Sequence, residues 1–253
     1  MIDTFLQALP AWPVLLVLGF FSLAAGLLRG FSGFGAGLLM APGFSLFLSP
    51  VDVLVIILVL NFVTTVQVLP EALPHVDWPL TMRLFIPAIF GIPLGLSLLH
   101  WVDPVIMRRT VAGIVIVLAL VMLAGWHYRG RRGRLQDTLT GLLSGCMTGI
   151  ASIGGPPLVL YLLSDKTLAP AVFRAINIVI FLGGQLVAFI PLTLTGSFTG
   201  TQGVYILALL PVYVVANALG VWLYRWSMGK HQAQVRRASL IALLAVGLVV
   251  IAV

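Results

Sequence analysis

Two stretches of this chain carry glycine and proline in a pattern that a continuous helix does not keep. The first reads Arg29-Gly-Phe-Ser-Gly-Phe-Gly-Ala-Gly37, followed by Pro42. The second reads Gly145-Cys-Met-Thr-Gly-Ile-Ala-Ser-Ile-Gly-Gly-Pro-Pro157. Glycine lowers helix stability and proline removes a backbone donor, so both stretches are expected to break. Where a helix breaks inside an apolar medium, the N–H groups at the new N-terminus lack partners and carry partial positive charge. Without a Cβ, glycine lets an anion approach those groups closely. Gly33, Gly35 and Gly37 of the first stretch, and Gly154, Gly155 and Pro156 of the second, are therefore candidates for anion binding. The competing reading is that glycines serve packing, and Gly141, Gly145 and Gly149, like Gly91 and Gly95, have the spacing of small-residue helix seams.

Amides are the next group able to hold an anion. Asn61 and Gln67 lie in one apolar segment, Asn177 and Gln185 in another. Polar side chains at membrane depth are costly unless they are paired or functional. An amide donates hydrogen bonds to an anion without the desolvation cost of a buried charge, and equally bonds to a neighbouring helix. Arg29 is the only basic residue inside an apolar segment away from a clear loop. It either supplies the charge that selects an anion or snorkels toward the headgroups. Hydroxyls are available from Ser32, Thr64, Thr65, Thr148 and Ser152, although these bond readily to their own helix. No carboxylate sits mid-segment, the four histidines fall in loops or at helix ends, and no phosphate-binding loop is present. The expectation is no catalytic centre, no metal and no cofactor.

The elements that must position these residues follow from composition. Of 253 residues, 60% are hydrophobic and 8% charged, with a mean hydropathy of +1.14. A soluble domain has roughly a quarter charged residues, so the solvent here is lipid. The formal charge of +7 reads as basic cytoplasmic loops rather than a nucleic-acid surface. Apolar runs fall near 12–48, 51–70, 83–100, 106–126, 136–164, 176–195, 203–224 and 238–253. They are continuous rather than alternating, which selects helices over barrel strands. Runs 12–48 and 136–164 are too long for one untilted crossing, and they contain the glycine-proline stretches.

The halves resemble each other. Gly26-Leu27-Leu28-Arg29-Gly30 matches Gly141-Leu142-Leu143-Ser144-Gly145, Leu94-Gly95 matches Leu219-Gly220, and Trp101 matches Trp226. We read two repeats, 12–126 and 136–253, joined by a basic loop at 127–135. If each long run is a hairpin that enters and leaves on one side, both termini lie outside. The inner loops then hold eleven basic residues, Arg83, Arg129, Arg131, Arg132, Arg134, Lys166, Arg174, Arg225, Lys230, Arg236 and Arg237, against Arg108 and Arg109 outside. The positive-inside rule favours this arrangement. The expected fold is an all-α polytopic membrane protein with two inverted repeats. Each repeat is a broken helical hairpin plus three transmembrane helices.

With its paired signatures, basic central loop and length, the sequence resembles the TauE/SafE family of sulfite exporters and toluene-sulfonate permeases. The likeness covers essentially the whole chain. It departs in the second signature, where the glycines thin to Ile153-Gly154-Gly155 before two prolines. The resemblance implies transport of sulfite, sulfonates or related small anions in a bacterial plasma membrane. The expected partners are a small anionic substrate and the lipid bilayer, with no nucleic acid; a homodimer is allowed rather than required. The mechanism expected is alternating access, with a passive pore for small solutes as the alternative.

Overall fold

The computed structural model describes residues 12–125, 128, 130, 133–165 and 167–227. The expected last segment, 238–253, and residues 127, 129, 131 and 132 of the expected basic loop lie outside the described residues, as does the Ser32 side chain. The described chain is helical throughout. Its first part contains α1 (Trp12–Ser32), α2 (Ala36–Phe44), α3 (Pro50–Ala72), α4 (Trp78–Trp101) and α5 (Pro104–Leu123). The second contains α6 (Arg134–Ala151), α7 (Gly155–Leu162), α8 (Pro170–Leu194) and α9 (Gly200–Ser227). Six of these, α1, α3, α4, α5, α8 and α9, are long and apolar enough to cross a membrane. The chain is a multi-pass membrane protein.

Both long apolar runs break where glycine and proline crowd, and each folds back on itself. In the first, Phe21 of α1 packs against Gly43 of α2, and Leu28 packs against Gly35. In the second, the Tyr161 hydroxyl of α7 donates to Asp137 Oδ1 of α6 at 2.5 Å. Nearer that tip, the Ser144 hydroxyl donates to the Gly154 carbonyl at 2.7 Å. Early residues of one arm thus meet late residues of the other, as an antiparallel hairpin requires.

Helix starts lie further upstream than charge alone suggests. The run expected from 83 begins at Trp78, where Asp77 caps the helix by accepting from the Leu80 N–H and Pro79 occupies the first turn. The run expected from 176 begins at Pro170. Arg83 and Arg174 are therefore helical residues near polar ends, not breaks. At α3, Ser49 accepts from the Asp52 N–H at 3.2 Å and Pro50 fills the first position. Both residue types favour a helix start.

Two seams hold the hairpins. Gly91 and Gly95 of α4 face Gly141, Gly145 and Gly149 of α6, with each glycine against a carbonyl or amide of the opposite backbone. Gly26 and Gly30 of α1 face Asn217 and Gly220 of α9 in the same way. A Cβ at Gly30, Gly91, Gly95, Gly141, Gly145 or Gly149 collides with backbone that cannot step aside. Both pairs run parallel, since residue numbers rise together along each seam. The seam glycines thus act as the packing reading expects. Between the seams lies α3, whose Leu54 to Leu58 stretch is fully buried on every side. A helix apolar all round belongs in a core, and α3 is that core.

Candidate functional site

The tips of the two hairpins meet beside the middle of α3. At the first tip, Gly33 (φ 81°) and Gly35 (φ 91°) take left-handed backbone that an L side chain rarely adopts. Gly35 caps α2, leaving the N–H groups of Ala36 and Gly37 in the first turn of a new helix. At the second tip, Ser152 ends α6 with φ 57°, the one positive-φ non-glycine among the described residues. Its N–H reaches the Thr148 carbonyl at 2.8 Å and the Ile153 N–H reaches the Met147 carbonyl at 3.2 Å, closing α6. Gly37 sits so close to the Ser152 carbonyl that a Cβ there overlaps it, and Phe34 lies beside Gly155. The tips touch.

They enclose a small cavity with about 30 Å³ open to the centre of a water-sized sphere. Its walls come from both hairpins and from α3 and α8. Of the residues singled out from sequence, Arg29, Gly35, Gly37, Asn61, Gly154, Gly155, Pro156 and Gln185 line it. Thr148 and Ser152 line it as well, with Phe181 as an apolar wall. The remaining three candidates lie elsewhere. Gly33 packs against the Arg174 side chain, on the way to a wider opening of about 400 Å³ lined by Arg174, His75 and Glu71. Gln67 is exposed on α3. Asn177 is buried, but its NH2 donates to the Phe173 carbonyl of its own helix at 2.8 Å. Asn217 lies on the α1–α9 seam.

Arg29 does not snorkel. Its side chain is buried, with the residue 8% exposed, and turns inward to α3. Nη1 donates to Asn61 Oδ1 at 2.7 Å, while Nη2 donates to the Thr65 hydroxyl and to the Asn61 carbonyl at 3.4 Å. All of these partners are neutral. Carboxylate ion pairs join Arg83 with Asp137 and Arg225 with Glu71, both away from the cavity. Asn61 Oδ1 also receives the hydroxyl of Tyr213 from α9 at 2.5 Å. Sequence reasoning missed Tyr213. The depth argument applied to the amides covers a phenol in the middle of run 203–224 equally well.

Second-half groups on the cavity are held differently. Thr148 donates to the Ser144 carbonyl at 2.8 Å, so its hydroxyl serves the α6 arm. Gln185 is 3% exposed, and no hydrogen bond among the described residues orients its amide. Pro156 and Pro157 shape the start of α7 but have no N–H to offer.

An all-helical, multi-pass chain with broken hairpins meeting at a buried cavity has the architecture of a membrane transporter. The family model described as "Sulfite exporter TauE/SafE" matches residues 18–250. The chain belongs to the TauE/SafE family, a family of membrane transporters. No curated protein and no solved structure matches it.

Proposed function

We propose that this protein is a secondary carrier for a small anion, with sulfite, a sulfonate or a related sulfur oxyanion as its cargo, working by alternating access. The observation that carries the reading is Arg29. A buried guanidinium whose partners among the described residues are all neutral is an electrostatic debt that a bound anion offsets. Ala36 and Gly37, the first residues of α2, line the same cavity, and the partial positive charge of that helix start adds to the same effect. Asn61 and Gln185 supply amide contacts, whereas Pro156 acts through shape.

The glycine seams support the inverted-repeat reading. Each hairpin arm packs on the third long helix of the other half, α1 on α9 and α6 on α4, as two copies related by a two-fold axis in the membrane plane require. In that arrangement both termini face outward and the basic loops face the cytoplasm of a bacterial inner membrane. A negative-inside potential then favours efflux by about 2.3 kcal/mol per charge per 100 mV. A homodimer is compatible with this arrangement and plays no part in the mechanism.

A thermal-shift series on purified protein tests the reading, since ligands that bind the folded form raise its apparent stability. The series uses sulfite, sulfate, thiosulfate, sulfoacetate, taurine and carboxylates. A shift with sulfur oxyanions is expected, and silence across all of them overturns the anion site. Saturable uptake with counterflow in proteoliposomes is expected of a carrier; flux that never saturates assigns a pore instead.

A further inference from the structure

We propose that Tyr213 is a positioning residue for cargo recognition: it holds the Asn61 carboxamide so that the NH2, and not the oxygen, meets the anion. The inference rests on the anion-carrier reading above and deepens it. Tyr213 lies midway along α9 and is 0% exposed, so its hydroxyl is shut off from bulk solvent. It donates to Asn61 Oδ1 at 2.5 Å, and Arg29 Nη1 donates to the same atom at 2.7 Å.

A carboxamide oxygen accepts through two lone pairs, and here both are taken. Turning the amide over sets its NH2 against the guanidinium, which has no acceptor to offer. The orientation is therefore assigned by its partners: the oxygen faces α1 and α9, and the two N–H donors remain for the cavity that Asn61 lines. That is the orientation an anion needs, because an amide oxygen facing it is repulsive.

Arg29 alone does not secure this arrangement under load. The guanidinium is also the charge that attracts the cargo, so an arriving anion competes with Asn61 Oδ1 for the same N–H groups. Tyr213 has no such second duty. Coming from α9, it keeps the oxygen engaged while Arg29 turns. It also makes recognition depend on both halves of the chain, since Arg29 and Asn61 belong to the first and Tyr213 to the second.

The test compares affinity for sulfite, sulfate and thiosulfate in full-length wild type, Y213F, N61A and the Y213F/N61A double variant. Melting temperature is recorded for each protein. Y213F keeps the ring and its packing and deletes only the donor. The dissociation constant is expected to rise about threefold to tenfold, the range set by one net hydrogen bond. The decisive readout is coupling: in the N61A background, Y213F is expected to cost no further affinity. A tyrosine that merely fills space predicts wild-type affinity in Y213F. One acting independently of Asn61 predicts losses that add, and either result overturns the inference. N61D gives a second route, because it keeps both acceptor contacts, removes the NH2 and turns a carboxylate oxygen toward the anion. Loss of binding in N61D at an unchanged melting temperature is expected, and wild-type binding there overturns the inference even if Y213F is not recovered. Wild type that binds none of the three anions overturns the carrier reading and this inference together. Unchanged Y213F affinity beside a binding wild type overturns this inference alone.

Discussion

The two hairpin tips share a shape and differ in chemistry. Arg29 and Ser144 occupy matching places in the two glycine signatures, yet their side chains go opposite ways. Arg29 leaves its hairpin, crosses to α3 and brings a cation to the cavity wall. Ser144 stays within its hairpin and ties the Gly154 carbonyl. The polar groups behind them differ in the same sense. Asn61 is fixed by Arg29 and Tyr213, whereas no hydrogen bond among the described residues orients Gln185. Shape is supplied by both hairpins, but charge is supplied by one. A cavity with one charged pole and one adjustable pole suits a single small anion, held firmly on one side and met flexibly on the other.

The comparison breaks most sharply at Arg29. Arg29→Gln is expected to weaken sulfite binding by about tenfold to a hundredfold, the loss of a charged hydrogen-bonded contact. Ser144→Arg in that background is expected not to restore it, because position 144 faces its own hairpin. Restoration there, read by the same binding assay, makes the poles equivalent and removes the distinction.

Next in size are the tips. Gly35→Leu forces a side chain into backbone at φ 91°, and Gly155→Leu drives one between Phe34 and Phe181. Both are expected to stop flux in proteoliposomes while the protein still reaches the membrane. Unchanged transport in both variants removes the tips from the site.

A smaller contrast separates the amides. Asn61→Ala is expected to weaken sulfite binding about tenfold and Gln185→Ala about twofold, because only the fixed amide loses a pre-set contact. Equal losses by calorimetry make the adjustable pole as important as the fixed one. The smallest effect lies away from the cavity. Gln202 at the start of α9 donates to Asp52 at the start of α3 at 2.7 Å. Gln202→Ala is expected to cost about 1 kcal/mol and about 2–4 °C in melting temperature. Anion affinity should not change.

Much of this architecture is legible in the sequence, for physical reasons. Runs of apolar residues long enough to cross lipid announce the helices, and glycine with proline marks where the two longest fold back. The seams are legible because close backbone approach demands glycine at fixed spacing. What the linear pattern conceals is direction. Counted from the prolines that open α3 and α8, Thr65 and Gln185 hold the same position, and Asn61 is level with Phe181. Gln67 points outward and Asn177 bonds to its own helix, because a helix turns through a full circle and run length says nothing of facing. Tyr213 escapes notice for a related reason: its partner lies 152 residues away, a pairing that only packing establishes.

The interlocked glycine seams have a bearing on how such a molecule can yield. Because α1 is zipped to α9 and α6 to α4, neither half of the sequence is free to swing as a block. Whatever shifts must shift as these mixed bundles, each built from both halves of the chain, rather than as two blocks joined by the arginine-rich connector. Severing that connector should therefore leave the machine assembled.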